Sequence, residues 1–258
     1  MNICLFTSEE IKNPLSTSDE RGQHLIKVLH KKTGESFSAG VIGGKAGKAT
    51  IEKIEDGKIF FRFTEETDGK NLFPLKMIIG FPRPIQLKRL LRDMAALGVC
   101  EVHLTKTELT EKSYLNSDLA TTDAGTKMLL DGTVQAASTH VPELFIHKSL
   151  KECLDYIKEN SNPEIKLCAL DNIEPSVNIG GVEFSTEAGA VAAIGSERGW
   201  TTKERQLMKD SGFVLCGMGS RVMRTETAAT VAQALSLTAW DAWPKLRKTK
   251  PACNADGR

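Results

Sequence analysis

Residues 217–234 combine the residue types needed to bind a charged ligand next to exposed backbone. A short apolar strand is predicted to end at the first glycine, and a helix is predicted to begin near Thr225, a favourable N-cap residue. Glu226 in the first turn would complement the helix dipole. Arg221 and Arg224 stand at the mouth of this helix. They could form a salt-bridged helix entrance, or they could face an anionic substrate beside a pocket lined by backbone.

A second glycine-containing loop lies about 20 residues earlier and reads Gly195-Ser-Glu-Arg-Gly-Trp. It follows the apolar run 191–194, which is typical of a buried strand. Thr201 and Glu204 have the spacing of a capping box, so a helix should start there and end before Gly212. Glycines at the carboxyl edge of a strand let a ligand approach the backbone closely. The loop is neither GxGxxG nor a P-loop, which disfavours a dinucleotide or nucleoside triphosphate site.

The patterns that would position these loops change near residue 70. Residues 36–62 alternate apolar and polar side chains with glycine turns between them, and residues 20–31 have helical spacing. After Pro74, apolar strands alternate with amphipathic helices, as in an α/β domain with a largely parallel sheet. We therefore predict a small β-rich domain over residues 1–70, an α/β domain over 71–245, and a disordered tail over 246–258.

The first helix of the α/β domain, predicted over residues 85–97 with its stop at Gly98, has a basic face. Lys88 and Arg92 lie on this face, and Arg83 precedes it. Such a face is either a solvated surface or a contact surface for phosphates. The sequence leaves these alternatives open.

Composition limits the possible functions only broadly. The net charge is +1, so nucleic-acid binding would have to depend on local basic patches. The six cysteines are scattered without a CxxC pair, which favours reduced thiols. No apolar run approaches the roughly 18 residues of a membrane span, and the N terminus lacks a secretory pattern. We expect a cytoplasmic protein without a membrane segment. The five histidines show no metal-ligand spacing, so no metal is expected.

The two loops, in this order, resemble those of the bacterial 16S ribosomal RNA uridine-N3 methyltransferases of the SPOUT superfamily. Gly195-Ser-Glu-Arg-Gly stands where that family typically has Gly-Pro-Glu-Gly-Gly. Met218-Gly-Ser-Arg-Val-Met-Arg-Thr-Glu-Thr-Ala stands where it has Leu-Gly-x-Arg-Ile-Leu-Arg-Thr-Glu-Thr-Ala. His24-Leu-Ile-Lys-Val-Leu, Leu97-Gly-Val and Glu111-Lys-Ser are similar to its N-terminal and central motifs.

The resemblance implies an α/β trefoil-knotted SPOUT methyltransferase domain preceded by a small PUA-like β-barrel that helps to hold RNA. It also implies a homodimer, S-adenosylmethionine bound in the knot, and 16S ribosomal RNA as the substrate. Periodicity alone would not suggest a knot, because knotted chains are rare.

Methylation of uridine at N3 requires loss of the N3 proton, because the protonated nitrogen is a poor nucleophile. Arg224, with Arg221, could stabilise charge on the uracil carbonyl oxygens. Glu226 or Glu197 could accept the proton; alternatively, these carboxylates only brace arginines.

The resemblance assigns the remaining site residues in two groups. The expected cofactor-binding residues are Leu170, Ile194, Gly195, Gly199, Gly217, Met218, Gly219, Val222, Met223, Thr225 and Thr227. The expected RNA-binding residues are Arg83, Lys88, Arg92, His24, Lys27 and Arg221.

Several positions depart from the family pattern. Arg198 replaces a loop glycine and puts a bulky charge beside the expected cofactor. Ser138 stands where the family has arginine, and Asp93 and Ala96 stand where it has an acidic residue and lysine before Leu-Gly-Val. Most departures fall on expected RNA-facing or dimer positions, so the chain is identified as a divergent member whose RNA target could differ.

Two alternatives to uridine-N3 methylation of 16S ribosomal RNA remain. The same chemistry could act on another ribosomal or transfer RNA site. The chain could also be a non-catalytic RNA-binding factor in ribosome assembly. A nucleotide-dependent oxidoreductase is disfavoured because the dinucleotide fingerprint is absent.

Overall fold

A computed structural model describes residues 2–118, 122–185 and 187–239 of the chain. The predicted tail, residues 246–258, lies outside the described residues. The described residues form two sheets, one of five strands and one of seven. No helix among the described residues is long and apolar enough to cross a membrane.

The first sheet is formed by residues near the N terminus and has the strand order β1-β3-β4-β5-β2. Its strands are β1 (Cys4–Phe6), β2 (Leu15–Ser16), β3 (Ser36–Val41), β4 (Ala46–Glu55) and β5 (Lys58–Thr67), with helix α1 (Glu20–Gln23) continued by a π-helical turn, His24–Val28. Asp56 and Gly57 both have positive φ and connect β4 to β5, as the tight turn of a two-residue hairpin requires. Phe6, Leu25 and Ile59 are buried in the core of this unit.

The second sheet is parallel throughout and has the order β10-β12-β9-β11-β6-β7-β8. Its strands are β6 (Phe73–Gly80), β7 (Val99–Thr105), β8 (Glu143–His147), β9 (Lys166–Leu170), β10 (Val177–Asn178), β11 (Ala190–Ile194) and β12 (Val214–Gly217). The helices are α2 (Pro84–Leu97), α3 (Thr122–Gln135), α4 (Leu150–Glu159), α5 (Thr202–Asp210) and α6 (Thr225–Ala239). The three strands β9, β11 and β12 are adjacent in this sheet, so the segments that follow them meet at one edge.

Helices cover both faces of this sheet because its strands present apolar side chains on both faces. On β6, Met77 and Ile79 face the core formed with α2, α3 and α6. Ile78, between them, faces the second core, formed with α4 and α5. This three-layer arrangement, with the sheet between two layers of helices, confirms the α/β prediction.

The predicted helix boundaries are confirmed at α2 and α5. Gly98 ends α2 in the left-handed conformation, with φ of 83°. Thr201 and Glu204 form the capping box at α5. The predicted N-cap of α6 is wrong by one residue: Thr225 is the first helical residue, and the carbonyl of Arg224 accepts from Ala228 N at 2.8 Å. The hydroxyl of Thr225 suggested a cap, but the first hydrogen bond of the helix is already accepted by the carbonyl of Arg224.

The two sheets lie on either side of residue 70, and hydrogen bonds tie the two parts together. Gly43 N donates to the carbonyl of Thr139 at 2.8 Å, and Thr139 Oγ1 donates to the carbonyl of Gly44 at 2.7 Å. Ser138, one of the positions that depart from the family, donates from Oγ to the carbonyl of Lys70 at 3.2 Å. Ser138 therefore ties the segment after α3 to the linker between the two sheets.

Candidate active site

The carboxyl ends of β9, β11 and β12 surround a pocket of about 300 Å³. This volume is at the lower end of the range for small-molecule sites. Three loops and the first turn of α6 line it: residues 170–175, 194–199 and 216–223, with Thr225 and Ala228. Ligands of open parallel sheets bind at this edge, since glycine-containing turns and helix starts meet there.

The loop after β11 is a tight turn that only glycine permits at its ends. Gly199 N donates to the carbonyl of Ser196 at 2.8 Å, and Gly199 has φ of +73°. A Cβ on Gly195 would lie 2.9 Å from the carbonyl carbon of Gly199. Trp200 then anchors the turn, because its Nε1 donates to the carbonyl of Leu170 at 3.0 Å. The two loops are therefore held against each other with bare backbone facing the pocket.

The loop after β12 supplies the other wall. Gly219 has φ of +99°, a conformation that glycine adopts without strain. A Cβ on Gly217 would be 3.2 Å from Cβ of Pro175, tighter than ordinary contact. Val222 is 80% exposed although it lines the pocket. An exposed apolar side chain at a pocket mouth is a surface that a ligand or a partner would cover.

A buried ion pair, missed by the sequence analysis, positions the third loop. Asp171 accepts two hydrogen bonds from Arg205, at 3.0 and 3.1 Å, and the two side chains are 1% and 5% exposed. Asp171 Oδ2 also accepts from Glu174 N at 2.7 Å. Burial raises the pKa of Asp171, but Arg205 and the backbone amides outweigh it and keep that pKa below its usual value. The only signal in the sequence was an aspartate directly after an apolar run.

Two exposed ion pairs cross the outer side of the loop after β11. Glu197 Oε2 lies 3.3 Å from Arg83 Nε, and Glu197 Oε1 accepts from Arg83 N at 3.4 Å, while Arg83 Nε donates to the hydroxyl of Tyr114 at 3.1 Å. Arg198 donates to Glu111 at 3.1 Å. The bulky Arg198 lines the pocket, yet its side chain is 66% exposed. Glu197 thus braces an arginine, as one of the two alternatives predicted.

Arg221, Arg224 and Glu226 behave differently from Glu197. None of the three takes part in a salt bridge within the described part of the chain. Within residues 2–118, 122–185 and 187–239, no salt bridge closes the entrance of α6. That predicted alternative is therefore wrong for the described part of the chain. Glu226 Oε2 is buried and has no hydrogen-bond partner there. A buried carboxylate oxygen without a partner is costly, so it is a candidate contact for a ligand or substrate.

The structure brings most of the expected cofactor residues together. Nine line the pocket: Leu170, Ile194, Gly195, Gly199, Met218, Gly219, Val222, Met223 and Thr225. Gly217 and Thr227 do not line it, because Gly217 packs against Pro175 and Thr227 is exposed on α6. Of the expected catalytic residues, Glu197 lines the pocket. Arg224 and Glu226 do not line it, but they flank the pocket residue Thr225 at the start of α6.

The expected RNA-binding residues are distributed over several surfaces. Arg221 lines the pocket, and Arg83 reaches its rim through Glu197. Arg92 pairs with Asp131 at 3.0 Å in a separate groove of about 800 Å³ between the two sheets. The departures Asp93 and Ala96 line this groove. Three further expected residues stand apart from the pocket: Lys88 is exposed on α2, Lys27 is exposed after α1, and His24 is half-buried there.

Comparisons with known proteins connect this geometry to a family. A family model described as "RNA methyltransferase domain" matches residues 69–237, which contain the whole parallel sheet and all three pocket loops. The chain belongs to this RNA methyltransferase family. The sequence resemblance to that class is confirmed.

Individual relatives agree with the family match. The chain is 38% identical over 250 residues to the "Ribosomal RNA small subunit methyltransferase E" of Treponema pallidum, covering 95% of this chain and 94% of that protein. It is 36% identical over 237 residues to the "Ribosomal RNA small subunit methyltransferase E 1" of Borreliella burgdorferi, covering 92% and 97%.

Solved structures show the same fold at lower identity. The ribosomal RNA small subunit methyltransferase E of Neisseria gonorrhoeae, bound to S-adenosylmethionine, has a TM-score of 0.76 at 19% identity and covers 93% of this chain and 98% of its own. A probable rRNA-methyltransferase of Porphyromonas gingivalis has a TM-score of 0.75 at 18% identity, covering 93% and 99%. The predicted architecture, a PUA-like barrel domain before a SPOUT-type α/β domain, is confirmed.

Proposed function

We propose that the chain transfers the methyl group of S-adenosylmethionine to N3 of a uridine in 16S ribosomal RNA. The observation that supports this most strongly is the backbone-lined pocket at the end of β9, β11 and β12, with Arg221 and Glu197 on its wall, in a chain of the RNA methyltransferase family. Two relatives that cover nearly the whole chain are named for methylation of small-subunit ribosomal RNA.

The pocket residues fit this cofactor. Gly195, Gly199 and Gly219 leave backbone groups bare where side chains would fill the space. Apolar side chains complete the wall and can receive the adenine ring: Leu170, Ile194, Met218, Val222 and Met223. When bound, S-adenosylmethionine would supply a methyl group on a positively charged sulfur, already activated for attack by a nucleophile. No metal ligand is required for such a transfer.

The chain itself would then have to deprotonate the uracil and stabilise the anion. In the proposed step, Glu226 would accept the N3 proton, and N3 would then take the methyl group that S-adenosylmethionine supplies, leaving neutral S-adenosylhomocysteine. Arg224 and Arg221 stabilise the charge that spreads over the two carbonyl oxygens. Glu226 suits the role of base better than Glu197, because Glu226 Oε2 is buried without a partner among the described residues while Glu197 pairs with Arg83.

We also propose that the chain forms a homodimer and acts on ribosomal RNA in the cytoplasm. Exposed apolar side chains on neighbouring segments of the sheet edge, Ile173, Val177, Val214 and Val222, support a homodimer as the assembled form. Ribosomal RNA is the proposed macromolecular substrate, held by Arg83, Lys88, Arg92, His24, Lys27 and Arg221, and the cytoplasm is the proposed compartment. Analytical ultracentrifugation of the full chain would distinguish a dimer from a monomer.

The cofactor pocket is tested by a single added methyl group. Gly195→Ala should weaken binding of S-adenosylmethionine by about 5- to 150-fold, because an overpacked position costs roughly 1–3 kcal/mol. The new Cβ would press on the backbone of Gly199. Isothermal titration calorimetry measures the effect. Gly180→Ala is the matched control, since a Cβ there meets nothing within 4 Å.

The outcome that contradicts the cofactor site is unchanged affinity in Gly195→Ala. If the wild-type chain does not bind S-adenosylmethionine at millimolar concentration, every methyltransferase hypothesis is rejected. It would leave a non-catalytic RNA-binding factor as the function.

The RNA position is tested in cells. A strain lacking this gene should lose 3-methyluridine from its 16S ribosomal RNA, measured by mass spectrometry of nucleosides. Re-expression of the wild-type chain should restore the modified nucleoside. Retention of 3-methyluridine in the deletion strain, together with loss of another methylated nucleoside, would move the activity to a different RNA site.

A further inference from the structure

A cluster of metal-binding residue types lies outside the pocket, between the parallel sheet and α4. It consists of His103 on β7, His147 at the end of β8 and Cys153 on α4. Their relative exposures are 0%, 6% and 0%. The candidate ligand atoms all lie within 4.8 Å of one another. Nothing in the proposed methyl transfer uses these residues.

The fold explains why the three side chains meet. In the parallel pair β7–β8, His103 is opposite Phe145 and Thr105 is opposite His147, so the two histidines are two positions apart on one face. Side chains two apart on a strand point to the same face. Cys153 is buried in the core formed by α4 over that face. His103 Nδ1 and His147 Nε2 are 3.0 Å apart as a result.

A carboxylate on the far side of His103 orients its ring. His103 Nε2 is 3.0 Å from Glu101 Oε2, and Lys76 Nζ is 2.9 Å from Glu101 Oε1. A carboxylate oxygen beside a lysine accepts hydrogen bonds, so His103 Nε2 carries a proton and donates to Glu101. His103 Nδ1 then keeps its lone pair, which is directed towards His147. This carboxylate–histidine arrangement is the one that orients histidine ligands in metal sites.

We propose that His103 Nδ1, His147 Nε2 and Cys153 Sγ bind a thiophilic transition-metal ion, with Zn²⁺ as the expected occupant. Imidazole nitrogens and thiolate sulfurs are both donors that Zn²⁺ binds. Nitrogens bound at about 2.0–2.1 Å to one tetrahedral ion lie roughly 3.4 Å apart, and sulfur at about 2.3 Å lies roughly 3.6 Å from each nitrogen. The histidines therefore need to separate slightly, and the Cys153 side chain needs to move inward by about 1 Å.

Metal binding would displace protons from the ligands. Without metal, His147 donates from Nε2 to His103 Nδ1, and Cys153 is a thiol because burial raises its pKa. Each histidine would coordinate through the ring nitrogen that does not carry the proton. On binding, the Cys153 thiol proton leaves to solvent and the His147 ring proton moves to Nδ1, so one proton is released per ion.

Such a site would fasten β7, β8 and α4 together. All three ligands are buried, so a substrate could not reach the ion, and a water molecule would complete its tetrahedral shell. The sequence predicted no metal site, because its histidines lack the short spacing that is typical of metal ligands. Here the ligands come from three separate elements, and only the strand register and the packing of α4 bring them together.

The test uses the full-length protein, stripped with a chelator and titrated with Co²⁺ as a spectroscopic probe and then with Zn²⁺. The expected result is one equivalent of Co²⁺ with a thiolate-to-metal charge-transfer band in the near ultraviolet, displaced by Zn²⁺. Cys153→Ser should abolish the band and weaken metal binding at least tenfold. Cys100→Ser is the matched control, since Cys100 lies on β7 but outside the cluster, and it should retain the band.

Two results would overturn the proposal: no stoichiometric binding by the wild-type chain, or a band that persists in Cys153→Ser. His147→Gln is the second variant should Cys153→Ser fail to fold, and it should lose binding in the same way. These readouts are independent of methyl transfer, so they hold whether or not the proposed function is correct.

Discussion

Arg224→Ala is expected to lower kcat by about 10²- to 10³-fold, the usual cost of removing one donor that stabilises an oxyanion. The affinity for S-adenosylmethionine should change by less than about twofold, because Arg224 is not among the residues that line the cofactor pocket. Single-turnover methylation of 16S ribosomal RNA fragments measures the first quantity, and calorimetry measures the second.

The expectation depends on how Arg224 is held. Its carbonyl accepts the first hydrogen bond of α6, which fixes its backbone, while its side chain is exposed and forms no salt bridge within the described residues. A charge that is positioned by a helix start and is not neutralised by a neighbour is available to an anion. Glu226, two residues further on, has a buried oxygen without a partner there. The two groups together are suited to a substrate that loses a proton and becomes an anion.

The controls separate chemistry from structure. Arg224→Lys keeps the positive charge but loses the two-pronged guanidinium, so it should recover part of kcat. Arg62→Ala removes an exposed arginine of β5 and should leave kcat unchanged. An equal loss of kcat and cofactor affinity in Arg224→Ala would make Arg224 a structural residue.

The sequence predicted those parts of the fold that depend on local patterns. Gly98 and the Thr201–Glu204 pair define helix ends because their effects extend over only a few residues. The alternation of strands and helices indicated the parallel sheet, but not the order in which β9, β11 and β12 lie side by side. That order is set by packing between distant segments, and it decides which loops form the pocket.

The resemblance to a family supplied most of the pocket but missed residues that support it. The pairing of Asp171 with Arg205 joins positions 34 residues apart, and neither residue belongs to the matched motifs. The Arg198–Glu111 pair, 87 residues apart, shows how a bulky side chain is accommodated in place of glycine: it extends outwards and not into the turn. Neither arrangement follows from spacing, because both need the tertiary fold.

Arg205→Met is expected to lower the free energy of unfolding by about 3–5 kcal/mol, the cost of leaving a buried charge without its partner. For a chain of this length, the melting temperature should fall by roughly 10 °C. The loss should also loosen residues 171–175 and weaken cofactor binding, since Asp171 lines the pocket. Urea unfolding followed by circular dichroism measures the free energy. Lys209→Met is the control on the same helix as Arg205. It removes the exposed partner of Glu174 and should lower the free energy of unfolding by at most about 1 kcal/mol.

The pH dependence distinguishes the lost ion pair from lost packing. In the wild type the pKa of Asp171 is lowered, so its contribution to stability is present above the unfolded-state pKa of about 3.9 and is lost as pH falls through the folded-state value. In Arg205→Met burial is opposed only by the backbone amides of Ile173 and Glu174, so the pKa of Asp171 rises from its wild-type value and protonation relieves the unpaired charge as pH falls. The stability difference between the two proteins should therefore narrow from about pH 7 towards pH 4. A difference that stays constant over this range would show that Arg205 acts through packing alone. Asp171→Asn combined with Arg205→Met should be more stable than Arg205→Met, because the double variant leaves no charge buried.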